Sequence, residues 1–395
     1  MKTIGLRVLA VSAILLAATI AVGADEANPQ YSSPYARWKN GPPKDASYFP
    51  IAVWCQEPSN APNYQKAGIN LYMGLWQGPT EEQLAEIKKY GMQAICNQNA
   101  VGMAHKDDPI IAGWLRADVP DEVITLNGGK DHRPPVAAGQ VVERYQARSE
   151  EDPSRPQFLE LSQGVAWDDF NGRGERSGHP EDFPEYLKGC DIAFFEFFPA
   201  ANDDPRVNGK LDMVAKGVER LVKWADGRQI VWNIIECTHV NWANKATPKQ
   251  VKAEVWMSLV HGSRGIIYFA HEFKPASTDH ALLKDPEMLA AVTAINRQIR
   301  ELAPALNSPT VKDALKVESS NKDVPVATMV KKQGGATYVF AVAMKSGEME
   351  AAFTLEGLPA GAQIEVLGEN RKIESADGKF QDRFSDWDVH LYRIK

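Results

Sequence analysis

From Tyr48 onward the chain alternates short apolar runs with amphipathic stretches of helical pattern. The runs are FPIAVW (49–54), INLYMGLW (69–76), MQAICNQN (92–99), IIAGWL (110–115), PQFLELSQ (156–163), CDIAFFEFFP (190–199), QIVWNIIE (229–236) and RGIIYFAHEF (264–273). Continuous apolar runs, unlike strict alternation, belong to strands buried on both faces of a parallel sheet. Helix starts lie between them. Thr80-Glu81-Glu82-Gln83 is a capping box ahead of LAEIKKY, with Gly91 as the stop. Thr247-Pro248-Lys249-Gln250 repeats the device with proline at the first helical position. Within 208–225, Leu211, Val214, Val218, Leu221 and Val222 recur at helical spacing.

Eight strand–helix alternations over about 230 residues predict an α/β fold, a (β/α)8 TIM barrel spanning 48–304. A doubly wound sheet is the competing arrangement. It would more often place a glycine-rich phosphate loop after the first strand, where this chain reads WCQEPSN. Beyond Pro304 the texture becomes β-like: VATMV, TYVFAVAMK, EMEAAFTLE, AQIEVLG and DVHLYRI, separated by turns such as GG and ADG. This predicts a small C-terminal antiparallel β-sandwich over 308–395, bracing the barrel or binding sugar.

Composition narrows the partners. The 395 residues carry a formal net charge of −7 and no run of Lys and Arg, which argues against nucleic acid. Lys2 and Arg7 precede an apolar stretch from Val8 to Val22, closed by the small residues Gly23 and Ala24. Residues 1–24 therefore read as a cleaved signal peptide, 25–47 as a linker, and the mature protein as secreted or periplasmic. The stretch is short for a membrane anchor and no later one could span a bilayer, so no membrane partner is expected after cleavage. Cys55, Cys96, Cys190 and Cys237 lack metal-ligand spacing and sit in or beside apolar runs, which predicts free, buried thiols. Neither a metal nor another cofactor is expected, and the oligomeric state is open.

A barrel of this type carries its site at the C-terminal ends of its strands. Those ends hold Trp54, Gln56 and Glu57; Trp76 and Gln77; Asn97, Gln98 and Asn99; and Asp118, Asp121 and Glu122. The later ones add Gln163, Trp167, Asp168 and Asp169, then Glu196, then Glu236, Thr238 and His239, and finally His271 and Glu272. Aromatic rings that stack on sugar faces, amides and acids that bond hydroxyls, and paired carboxylates suit a carbohydrate ligand. Trp54, Trp76, Asn97, Asn99, Trp167, Asp168, Glu196, His239, His271 and Glu272 are the candidate sugar contacts. Glu236 stands out because a carboxylate closing so apolar a strand is costly unless paired or functional.

The stretches FPIAVWCQEPSNAPNYQKAGINLYMGLW, IIAGWLRADVPDE, DPSRPQFLELSQGVAW, HPEDFPEYLKGCDIAFFEFFP and IVWNIIECTH with GSRGIIYFAHEF resemble clan A glycoside hydrolases. They are similar in particular to secreted bacterial barrel proteins related to the family 42 β-galactosidases. The resemblance covers residues 48 to 275. It implies retaining hydrolysis, with Glu236 as nucleophile and a strand-four Glu as acid/base. Here the chain departs from the pattern: where relatives read Asp-Glu-Pro-Asp, it reads Asp118-Val119-Pro120-Asp121. Valine transfers no proton. Glu122, which has the reach to fold back, and Asp118 are the candidate substitutes. Two readings follow, a retaining glycosidase with a displaced acid and a catalytically impaired barrel that binds glycan; a structural or adhesion role accounts least well for the crowded strand ends.

Overall fold

The computed structural model describes residues 33–116, 118–126 and 131–395; the expected signal peptide lies outside them. The eight apolar runs form a closed parallel barrel. Four strands come first: β1 (Ile51–Trp54), β2 (Leu71–Met73), β3 (Gln93–Cys96) and β4 (Ile111–Leu115). A hairpin follows, β5 (Ile124–Leu126) with β6 (Asp131–Arg133), inside the long strand-four loop. The barrel resumes with β7 (Gln157–Leu161), β8 (Ile192–Phe195), the split pair β9 (Ile230–Val231) and β10 (Asn233–Glu236), and β11 (Ile266–Phe269). β9 pairs with β8, β10 with β11, and β11 with β1, while a Glu196–Ile234 bridge ties β10 back to the end of β8. Nine strand segments thus make eight barrel strands.

The connections carry α1 (Ala61–Lys66), α2 (Glu81–Lys89), α3 (Ala100–Ala104), α4 (Ala138–Glu151), α5 (Phe183–Leu187), α6 (Asp212–Ala225), α7 (Pro248–Val260), α8 (Ala281–Lys284) and α9 (Pro286–Asn307). Both capping boxes are formed. Thr80 Oγ1 accepts from the Gln83 N–H at 3.2 Å, and Thr247 Oγ1 from the Gln250 N–H at 3.3 Å. The pattern read over 208–225 becomes helix only from Asp212, the preceding residues forming turns.

Side-chain parity separates two apolar layers. Ala52, Leu71, Met73, Ile95, Phe158, Ile192, Phe194, Ile234 and Ile267 fill the barrel, whereas Val53, Leu159, Ala193, Phe195 and Ile235 face the helices. β4 breaks the parity. Its register with β3 jumps from Ala94↔Ile111 to Ile95↔Gly113, so Ala112 and Gly113 both turn inward, the latter with no room for a side chain. A Cβ on Gly113 would stand 2.4 Å from the Phe158 ring. After this bulge Trp114 points outward and donates to Asp152 at 2.9 Å, Leu115 points inward, and Arg116 outward.

The described part of the segment read as a linker, residues 33–47, packs against the barrel floor. Tyr35 and Trp38 are buried, and the Tyr35 hydroxyl accepts from Trp232 Nε1 at 3.0 Å while donating to the Arg264 carbonyl at 2.9 Å.

Eight further strands form the C-terminal sandwich: β12 (Leu315–Ser319), β13 (Val326–Gln333), β14 (Ala336–Ala343), β15 (Met349–Leu355), β16 (Gln363–Val366), β17 (Arg371–Glu374), β18 (Lys379–Phe384) and β19 (Val389–Ile394). They make a three-stranded sheet, β12-β15-β18, and a five-stranded one, β13-β14-β19-β16-β17. β14 lies on α7, where Phe340 packs 5.3 Å from Trp256. α7 is therefore covered by the barrel on one side and the sandwich on the other, which accounts for its continuous burial from Ala253 to Leu259. A 660 Å³ cleft between α7, α9 and the sandwich holds none of the site candidates. All four cysteines are free thiols, three of them buried.

Because the Gly113 position has no space for a methyl group, Gly113→Ala is expected to cost about 1–3 kcal/mol. A urea-melt midpoint unchanged from the parent would show that β4 accommodates the group.

Candidate active site

Three carboxyl groups converge inside the C-terminal end of the barrel. Glu160 shares the inward parity of Phe158 on β7 and is only 6% exposed. Glu196 follows β8 with the parity of Ile192 and Phe194. Glu122 stands in the turn after β4, half-buried, its N–H donating to the Val119 carbonyl at 3.3 Å. Burial is the first cause raising all three. It lifts Glu122 to about 7, with the charges of Glu196 and Asp121 adding to it. Glu196 also rises to about 7, by burial and then Asp121. Glu160 goes well above the usual carboxylate range through burial and then Glu196, Glu122 and Asp121. No lysine or arginine among the described residues offsets these charges.

Asp121 holds the trio's frame. Fully buried, it accepts from the Ser162 N–H at 2.9 Å and from the Ser162 hydroxyl, and lies 3.3 Å from Arg173 Nε. It thereby ties the strand-four loop to the end of β7, one residue beyond Leu161 and two beyond Glu160. Asp118 takes no part. Arg116 grips it through 2.7 and 2.8 Å bonds, and Arg144 of α4 stands 3.9 Å away. Asp118, expected as a substitute acid, forms an exposed ion pair over α4.

Glu236, the expected nucleophile, is held by donors that the sequence did not indicate. It is fully buried, and its two oxygens accept from the Ala200 and Ala201 N–H groups at 2.7 and 2.8 Å. These donors belong to the loop that follows Glu196. Behind it, Glu254 of α7 is equally buried, and neither of its oxygens receives a conventional donor. Burial and the Glu236 charge keep the proton on Glu254, which donates it to Glu236. The 197–202 loop thus covers both oxygens of Glu236.

The aromatic candidates divide. Trp54 is half-buried above the barrel interior, 5.7 Å from the ring of Phe194, which lies two residues before Glu196. Trp76 stands 68% exposed after β2. His271 stacks with Phe273 at 6.0 Å and packs near Phe269 at 5.1 Å, and burial lowers its pKa. Trp167 lies under the Arg206 guanidinium at 4.8 Å.

Others serve the fold. Asn99 caps α3 by accepting from the Gly102 N–H at 2.8 Å, and both it and Asn97 donate to carbonyls of the 78–79 turn. Asp168 is held by Arg220 and Lys216 of α6 at 2.6 and 3.3 Å, which lowers its pKa. Glu272 is fixed through its backbone by Val240 and Thr278, and His239 lies half-buried in the same loop region. Among the described residues no group of three or more His, Cys, Asp or Glu could hold a metal ion.

Glu160 escaped the reading of strand ends because it lies one residue inside the end of β7. Its signal was present in FLEL: a lone acid sharing parity with Phe158 in an otherwise apolar strand.

No family model matches the chain, and no curated protein matches it in sequence. Solved structures do. A variant of AmyP in complex with maltotriose matches with a TM-score of 0.53 at 10% identity, covering 89% of this chain and 97% of that one. AmyP in complex with maltose gives 0.52 at 10% identity, over 87% and 96%. An Anoxybacillus α-amylase gives 0.51 at 12% identity, over 89% and 99%. The likeness is one of fold. It extends over the TIM barrel and the C-terminal β-domain together.

If Glu254 is the protonated partner, Glu254→Gln replaces one neutral donor by another and shifts stability by less than about 1 kcal/mol. Glu236→Ala strands two buried N–H groups and costs about 2–4 kcal/mol. Equal losses for the two variants in chemical denaturation would contradict this division.

Proposed function

We propose that the chain is a carbohydrate-active barrel that hydrolyses a glycosidic bond with the carboxyls at its mouth, in the secreted or periplasmic form left after removal of residues 1–24. The observation that carries this reading is the meeting of Glu160, Glu196 and Glu122, with no counter-ion among the described residues, at the end of the barrel where such folds bind substrate. Glu160 and Glu196 are on adjacent strands, two residues apart in register.

In this reading the retaining course implied by the sequence resemblance passes from Glu236 to Glu196. The more strongly raised Glu160 protonates the leaving oxygen while the Glu196 carboxylate attacks the anomeric carbon. Glu160, now ionised, takes a proton from the water that hydrolyses the glycosyl–Glu196 ester. Trp54 supplies a face for the sugar ring, and Glu122 adds negative potential that keeps Glu160 protonated. Binding without cleavage is the second reading, favoured by Val119 at the position where relatives carry an acid.

A panel of aryl glycosides tests both. Hydrolysis is expected, with Glu196→Gln losing at least about 10²-fold and Glu160→Gln losing about as much on poor leaving groups but far less on good ones. Because the nucleophile must be ionised, the rate should rise as the pH climbs through about 7, the value to which Glu196 is lifted, and fall only where the more strongly raised Glu160 loses its proton. Full activity in Glu196→Gln would remove it from the chemistry, and saturable binding with no turnover on any aryl glycoside would establish the second reading.

A further inference from the structure

The 660 Å³ cleft between α7, α9 and the sandwich lies on the barrel flank and holds none of the carboxyls of the mouth. Its charge is opposite to that of the chain. Lys249, Lys252, Arg297 and Arg393 line it, against Asp388 and Glu301. Asp388 takes up Lys249 at 2.8 Å, and Glu365, outside the cleft, takes up Arg393 at 2.5 Å. Lys252 and Arg297 are left. Lys252 is half-buried and its Nζ reaches the Val389 carbonyl at 3.4 Å, with no carboxylate in ion-pair contact among the described residues. Burial holds its amine below the usual lysine range. Arg297 likewise has no ion pair among the described residues. A second cleft, of 460 Å³, shares Arg297 and Glu301 with the first and adds Lys66 and Arg300. Along this groove four cations without an ion pair, Lys66, Lys252, Arg297 and Arg300, stand against Glu301 alone.

Two aromatic rings line the larger cleft. Tyr338 continues a ladder, 6.3 Å from Phe340, which is itself 5.3 Å from Trp256. Trp387 is half-buried and stands at φ 51°, in the left-handed region that bulky residues rarely take. The turn around it is pinned. Asp388 accepts from the Ser385 N–H and hydroxyl at 2.7 and 2.8 Å, besides its ion pair with Lys249 of α7. A backbone strain of about 1–2 kcal/mol is thus kept at the residue that sets an indole in the cleft wall. Rings beside cations suit a uronic acid residue, whose pyranose face stacks while the carboxylate at its edge takes charge-assisted hydrogen bonds. A neutral sugar leaves the cations unmatched. A nucleic acid strand needs a denser positive track than this chain of net charge −7 provides.

We infer that this flank is a second carbohydrate site, separate from the mouth, and that it holds a chain of uronic acid residues, with Trp387 and Tyr338 against the rings and Lys252 and Arg297 on the carboxylates. The inference does not depend on hydrolysis at the mouth. An acidic chain is repelled by most of a protein of net charge −7, so the cations along α9 decide where it lies. Lys66 and Arg300 extend the same track beyond Arg297.

Calorimetry on the full chain with three four-unit ligands tests this: α-1,4 tetragalacturonate, its fully methyl-esterified form and a thymidine tetranucleotide. Tetragalacturonate is expected to bind at least about tenfold more tightly than either of the others. Arg297→Glu, on the exposed face of α9, and Lys252→Met should each bring it down toward the ester. Trp387→Gly, which suits the left-handed backbone, should weaken both sugar ligands alike. Equal binding of the ester overturns the inference, because charge is then not read. Equal or tighter binding of the tetranucleotide overturns it in favour of a general polyanion site. A preference that survives both Arg297→Glu and Lys252→Met, unchanged affinity in Trp387→Gly, or no binding of tetragalacturonate also overturns it. Hydrolysis of aryl glycosides at the mouth should be the same in Arg297→Glu as in the parent, so failure of the inference leaves the glycosidase reading standing.

Discussion

A carboxylate removed from water must keep its proton or acquire donors, and this constraint sorts the acids of the barrel. Asp121 acquires donors and so joins the strand-four loop to β7. Glu236 acquires them from a loop backbone and from Glu254, and so fixes the chain that follows Glu196. Glu160 acquires none among the described residues. The two satisfied acids hold the walls on either side of Glu160.

The sandwich meets the other side of α7. β14 packs on that helix through Phe340 and Trp256. Glu254 lies on the barrel-facing side, with Ser258 one turn further on accepting from Asn233 of β10.

The fold was legible because it rests on local signals. Continuous apolar runs marked all eight barrel strands, and two capping boxes marked α2 and α7. The site was legible in part: Glu196, Glu122 and Trp54 were visible at strand ends, while Glu160 lay one residue too deep. Glu236 was correctly read as costly to bury, but its partners are backbone N–H groups 35 and 36 residues away and a carboxyl on another helix. Backbone donors leave no mark in a sequence. Nor does a bulge such as that at Ala112 and Gly113, which sets the outward course of Arg116 and, with it, Asp118.

Covalent labelling of the folded protein with a panel of epoxypropyl glycosides, followed by peptide mapping, tests most directly which acids face the substrate. The account predicts an ester on Glu196, Glu160 or Glu122, blocked by an excess of the matching free sugar. An ester on Glu236 would contradict it, because that carboxyl would then have to leave Ala200, Ala201 and Glu254 to meet the sugar.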